Sequence, residues 1–327
     1  MPDTIYPWHK SHWQHLVDYV KQERIPQALL INGLAGLGKL QLALHFAQYL
    51  VCTDRQDDDF CGHCASCKLF IAQTHPDFIF LEPEEPGRAI GIDLVRQLIT
   101  KLALKPQFSG YRVVLIKPAE KMNTNSANAF LKSLEEPPER TVFLLHTEQM
   151  QQLPATIISR CQKLLLTAPD VDSVIPWLRQ QGLSEQQNLL LNLAQGAPLL
   201  ALEYAQQKLP EQRQQFFSDW QNIALLNACP VSLADKWHKL PVTPLLGWLI
   251  SWTEDIIKCH FNAEPAHLIN NDLEKDLHAL AKRLNLKSLF EFYDLLLKAS
   301  YRLQTQLNKQ LVFEELLITW SQSTVNH

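Results

Sequence analysis

The 327-residue chain has no strong charge of one sign, no long apolar run and no internal repeat. Each absence removes a class of function. The formal net charge is −4, so no global basic field would drive tight DNA binding by the isolated chain. No apolar stretch is long enough to span a bilayer. The opening residues, MPDTIYPWHK, lack the charged-then-apolar pattern of an export signal. A soluble, cytoplasmic protein is the expectation, with no membrane partner. The seven cysteines are an odd number, and three of them crowd into one short window. In the cytosol that pattern favours a metal site over a disulfide framework. The length allows two or three domains with ample core.

The first half alternates short apolar runs with amphipathic helical patterns. Ala28–Ile31, Phe78–Leu81, Val113–Ile116, Val142–Leu145 and Lys163–Leu166 read as strands, Phe78–Leu81 with a short buried-strand pattern. Helical spacing joins Trp13, Leu16, Val17 and Val20, then Ile92, Val95, Leu98, Ile99 and Leu102, then Ala127, Phe130, Leu131 and Leu134. Such alternation implies a parallel sheet covered on both faces. The strand signal ends near Thr167. Asp170 can cap a helix through Val174 and Trp177, and Ser184 with Gln187 forms a capping-box pair. Gly196 can end the helix that follows. Three domains are therefore expected. Residues 1–167 form an α/β domain of the P-loop type, 168–207 a small helical domain and 208–327 an all-α domain.

A Gly-rich segment, Gly33-Leu34-Ala35-Gly36-Leu37-Gly38-Lys39-Leu40, lies between the first strand and a helix. That context suits a phosphate-binding loop, in which Gly33, Gly36 and Gly38 let the backbone wrap an anion and Lys39 adds charge. Two departures mark it as degenerate. Leu40 stands where a Ser or Thr hydroxyl would hold Mg²⁺, and strand 113–116 runs into Lys117-Pro118 rather than acidic residues. Glu120 follows two residues later, a shift expected to carry it away from the site. Nucleotide binding by this loop is therefore doubtful.

Cys52, Cys61, Cys64 and Cys67 are spaced C-x8-C-x2-C-x2-C. Four thiolates suit a closed tetrahedral Zn²⁺ site with a structural role. Redox thiols and an iron–sulfur cluster remain alternatives. Cys161, Cys229 and Cys259 lack partners in sequence and read as small buried apolar residues.

Three further segments narrow the identity: Asn128–Pro138 (NAFLKSLEEPP), Ser159-Arg160-Cys161 and His75-Pro76-Asp77. With the loop and the cysteine spacing they resemble the bacterial DNA polymerase III clamp-loader family of AAA+ proteins, closest to its delta-prime branch. The likeness is dense over about 25–167. It implies an AAA+ domain, a helical lid and a C-terminal collar joining a heteropentamer with gamma/tau and delta subunits. It also implies a subunit that does not hydrolyse ATP. Arg160 would act in trans on a neighbouring gamma/tau ATPase while the beta sliding clamp is loaded on primed DNA. Thr147 is placed like a nucleotide sensor or a plain strand-end residue, and Gln195–Pro198 lacks the sensing arginine of active lids. Lys101, Lys105, Arg112, Lys117 and Lys121 could line an inner face toward DNA or be ordinary surface charges. Two competing readings are an active ATPase subunit rescued by Glu120 and a zinc-dependent nucleic-acid-binding protein.

Overall fold

The computed structural model describes residues 5–323 apart from 57, 86, 240, 241, 262–266 and 304–307. The chain forms two compact units. The first contains residues 1–181 and 197–200; the second contains 182–196 and 201–327. Residues 168–207 are thus divided between them. Among the described residues no helix is long and apolar enough to cross a membrane.

The first unit is built on five parallel strands: β1 (Ala28–Asn32), β2 (Phe78–Leu81), β3 (Arg112–Ile116), β4 (Thr141–Thr147) and β5 (Gln162–Leu165). Their order is β2-β3-β4-β1-β5. β1 lies between β4 and β5, with Ile31 opposite His146 and Leu164. Near-continuous apolar sequence is what a strand buried on both faces requires, and all of Arg112–Ile116 and Thr141–Thr147 is buried. The helices of this part are α1 (Lys10–Lys21), α2 (Lys39–Val51), α3 (Ala65–Ile71), α4 (Ile92–Leu102), α5 (Thr124–Glu135), α6 (Ala155–Ile158) and α7 (Val171–Gln180). Helix α2 is buried on most of its circumference, as its apolar sequence predicts. Asn123 starts α5, its side-chain oxygen accepting the Ser126 N–H at 2.8 Å.

The capping box expected at Ser184 does not form. Helix α8 (Gln187–Leu193) starts later, after Gln186 in the left-handed region, and Gln187 Nε2 donates to the Leu183 carbonyl at 2.5 Å. Gln187 is buried, so its amide serves that orphaned carbonyl instead of a helix cap. Gly196 does end α8, at φ +80 with its N–H on Leu191 O. Asp170 holds the first position before α7, but its side chain makes no cap bond.

The second unit is helical. After α9 (Pro198–Gln206), whose first turn belongs to the first unit, come α10 (Leu209–Ala224), α11 (Pro230–Trp237), α12 (Val242–His260), α13 (Glu274–Ala281), α14 (Leu286–Arg302) and α15 (Lys309–Ser321). Its core is aromatic: Trp220 stacks on Trp320 at 4.0 Å between ring centroids, and Trp252 and Phe292 pack beside them. A buried polar lattice crosses this core. Arg213 reaches Asp272 and Asn270 at 2.6 Å each, and Asn270 donates to Asp255 at 2.8 Å.

Candidate functional site: the phosphate loop, the cysteine cluster and Arg160

The Gly-rich turn follows β1 and leads into α2, as the spacing predicts, and its glycines pack against other atoms of the chain. Gly36, at φ +76, lies so close to Leu200 that an added Cβ would stand 2.5 Å from Leu200 Cβ. Leu199 N–H also donates to Gly36 O at 3.0 Å. Gly38, at φ +87, faces the rings of Tyr6 and His9. Gly33 lies against the Leu166 carbonyl. Tyr6 and Trp8 stack at 4.8 Å, Trp177 meets both edge-on, and Trp8 Nε1 donates to Leu37 O at 3.0 Å. The glycines here admit neighbouring protein atoms to the backbone.

Lys39 opens the helix that follows the turn. Its side chain is buried, and Nζ donates to Leu34 O at 2.6 Å with Glu148 Oε1 3.5 Å away. Burial pulls its pKa below the usual lysine range, while Glu148 and Glu120 counteract that pull and Lys117 adds to it. Glu120 does not leave the neighbourhood as expected. The chain after Pro118 turns through a 3-10 segment, Ala119–Lys121, and Glu120 Oε1 accepts the Glu148 N–H at 3.1 Å. Thr147 is wholly buried, and its hydroxyl accepts the Gln149 N–H at 3.2 Å, so it serves its own strand end. Beside them His146 is buried, and burial together with Lys39 and Lys117 pushes its pKa down to about 3. His9 is also buried; burial and His12 push it down to about 4 against a bond to the Leu37 backbone.

The four predicted cysteines converge. Cys52 ends α2, Cys64 caps α3 and Cys67 lies in its first turn. All four sulfurs lie within 4.8 Å of one another, and Cys52 Sγ is 3.7 Å from Cys61 Sγ and 3.9 Å from Cys64 Sγ. Metal–sulfur bonds of about 2.3 Å in a tetrahedron place sulfurs roughly 3.8 Å apart, so the set fits one metal ion. Backbone N–H groups of Cys61, Cys64 and Cys67 point at Cys52, Cys61 and Cys64 sulfurs at 3.5, 3.3 and 3.3 Å. Such donors favour thiolates. Burial opposes ionisation of Cys64, but donation from Cys67 and Thr53 outweighs it and brings this thiol down to about 6, whereas burial raises Cys52 and Cys67. His63 Nε2 lies 3.4 Å from Asp54, and ligand atoms of both come within 4.8 Å of the Cys61 sulfur, at the exposed edge of the cluster.

His75-Pro76-Asp77 anchors this module. His75 Nδ1 accepts the Asp77 N–H at 3.0 Å, so Nε2 carries the proton and donates to Ser66 Oγ at 2.7 Å. Ser66 in turn donates to Val51 O at 2.6 Å, which excludes a nucleophilic serine. Asp77 accepts the Gln107 and Phe108 N–H groups at 2.9 and 2.8 Å. Arg112, one of the five basic residues considered for DNA contact, is buried. Its Nη1 bonds Leu102 O at 3.0 Å and its Nη2 lies 3.7 Å from Asp77. The orphan carbonyls at the end of α4 recruit it. Cys161 and Cys259 are buried as expected, but Cys229, just before α11, is exposed.

Arg160 lies in the turn between α6 and β5. Its guanidinium is about one-third exposed and meets Glu135 Oε1 at 2.6 Å and Thr156 O at 2.9 Å. Cys161 beside it is pushed up to about 11 by burial and is no nucleophile. Sequence reasoning placed Arg160 but missed Glu135, Glu148, His9 and His146. Glu135 carried one signal: a carboxylate in the last turn of a helix opposes the helix dipole.

Residues 8–170 match the family described as DNA polymerase III, delta subunit, and residues 207–322 match DNA polymerase III, delta subunit, C terminal. A Pseudomonas aeruginosa protein named DNA polymerase III subunit delta' is 34% identical over 97% of each chain. Proteins of the same name from Yersinia pestis and Escherichia coli K12 are 33% and 32% identical, each over 96% of this chain and 95% and 94% of their own.

Proposed function

Because the chain belongs to the DNA polymerase III delta-prime subunit family, we propose that it is the non-hydrolysing clamp-loader subunit that lends Arg160 to a neighbouring ATPase. It would sit in a heteropentamer with gamma/tau and delta subunits, joined through residues 208–327. The assembly would load the beta sliding clamp on primed DNA. One observation carries the reading: the ammonium of Lys39, the loop's phosphate ligand, is buried and bonded to Leu34 O. Leu40 offers no metal ligand, and Lys117-Pro118 offers no acid to polarise water. Arg160, by contrast, is exposed. A planar, permanently charged guanidinium is suited to stabilise charge on a transferred phosphoryl group in trans.

The four cysteines are read as the ligands of a structural Zn²⁺. Bound there, the ion supplies a cross-link that holds the 52–67 module to the end of α2. Four thiolates leave no open position for chemistry.

The test is a reconstituted complex with gamma/tau and delta partners. Arg160→Ala should lower turnover at the one site it serves by about 10³–10⁵-fold and abolish clamp loading. Lys39→Ala should leave both unchanged, and the isolated chain should hydrolyse no more ATP than that variant. Unchanged loading with Arg160→Ala would refute the assignment.

A further inference from the structure

We propose that Glu135 is a positioning residue for Arg160, holding its guanidinium folded against its own chain until a phosphate displaces the carboxylate. The inference rests on the reading of Arg160 as a residue acting in trans. Glu135 is the last residue of α5, and its Oε1 meets Arg160 Nη2 at 2.6 Å. Arg160 Nη1 turns back to Thr156 O at 2.9 Å and lies 3.5 Å from Ser159 Oγ. Both terminal nitrogens therefore point inward. An arginine serving another subunit must release at least one of them.

Helix stability does not account for Glu135. The C-terminal end of a helix carries partial negative charge, so a carboxylate there is unfavourable on its own. Pairing with Arg160 gives it a partner. The pair is also weak enough to exchange, because the two side chains are 37% and 49% exposed. Carboxylate and phosphate oxygens present the same class of acceptor to a guanidinium. Glu135 thus occupies the place that a phosphate oxyanion of the neighbour's nucleotide takes in the assembled complex. A doubly charged phosphate group competes well against one half-exposed carboxylate, so the finger is masked in the free subunit and released by substrate.

The measurement is ATP turnover against ATP concentration in the reconstituted complex. If Glu135 competes with ATP for Arg160, Glu135→Gln lowers the KM for ATP by about two- to fivefold, the range expected for losing an exposed ion pair, and leaves kcat unchanged. Glu136→Gln removes the same charge one residue along and should leave KM where it was. In an Arg160→Ala background, Glu135→Gln should do nothing, because the group it restrains is gone. An unchanged or raised KM, a fallen kcat, an equal effect of Glu136→Gln or an effect that persists without Arg160 overturns the proposal. Loss of turnover in Arg160→Ala together with a silent Glu135→Gln removes only this inference. Full turnover in Arg160→Ala removes the trans reading beneath it.

Discussion

Acidification from pH 7 to 5 should destabilise the first unit by about 4 kcal/mol through His9 and His146 alone. Both rings are buried, and burial holds them near 4 and 3, below the 6.5 of an exposed histidine. The unfolded chain therefore binds protons in this window that the folded chain refuses. With lowered folded values, stability is greatest above pH 6.5 and declines as the pH falls toward about 4. Each refused proton costs about 1.4 kcal/mol per pH unit below 6.5, hence about 2 kcal/mol per ring at pH 5. That figure needs only that both folded values lie below 5. Burial likewise lowers His45 and His75, and acid protonates thiolates and carboxylates as well, so the parent will lose more than this share. The assay is urea unfolding at both pH values for the parent and for His9→Gln/His146→Gln. The double variant should start less stable at pH 7 yet lose about 4 kcal/mol less on acidification. Equal acid sensitivity in parent and variant would refute the reasoning, as would ring resonances that titrate near pH 6.5.

Cys64→Ser should take bound metal from stoichiometric to absent in elemental analysis and open residues 53–66 to limited proteolysis; iron in place of zinc would redirect the reading of the cluster. Gly36→Ala combines a left-handed backbone with a clash against Leu200 and should cost roughly 2–5 kcal/mol in urea unfolding. Gly182→Ala, at φ +85 with open space around it, should lose only the backbone part, about 1–2 kcal/mol. Arg213→Ala strands the buried amide of Asn270 and the carboxylate of Asp272, and should destabilise the second unit by roughly 3–5 kcal/mol by the same measurement.

What the sequence disclosed depended on how local each interaction is. Strands β1, β3 and β4 were legible because burial on both faces demands an unbroken apolar run. The cysteine cluster was legible because its four thiols lie within one short window. Arg112 was misread because its partners, Leu102 O and Asp77, are set by the fold rather than by spacing. It begins a strand whose apolar run starts one residue later, so nothing local marks it as buried. The Ser184 capping box failed for a related reason: a match of residue types carries no information about where the first helical turn closes. Glu120 was expected to move away past Pro118. The 3-10 turn that follows instead brings it back onto the Glu148 amide.

The contacts around the loop also give its glycines a reason that needs no nucleotide. In an active loop the glycines bring backbone N–H groups up to phosphate. Here Gly36 and Gly38 bring Leu200, Tyr6 and His9 up to the backbone, and a side chain at either position would collide with them. Packing alone is therefore a sufficient reason for those two glycines. Lys39 follows the same logic, since its buried ammonium would be costly without Leu34 O and Glu148 nearby. Strand, glycine turn and helix establish the shape of a phosphate loop. Within that shape the lysine bonds the chain's own Leu34 carbonyl, with Glu148 beside it.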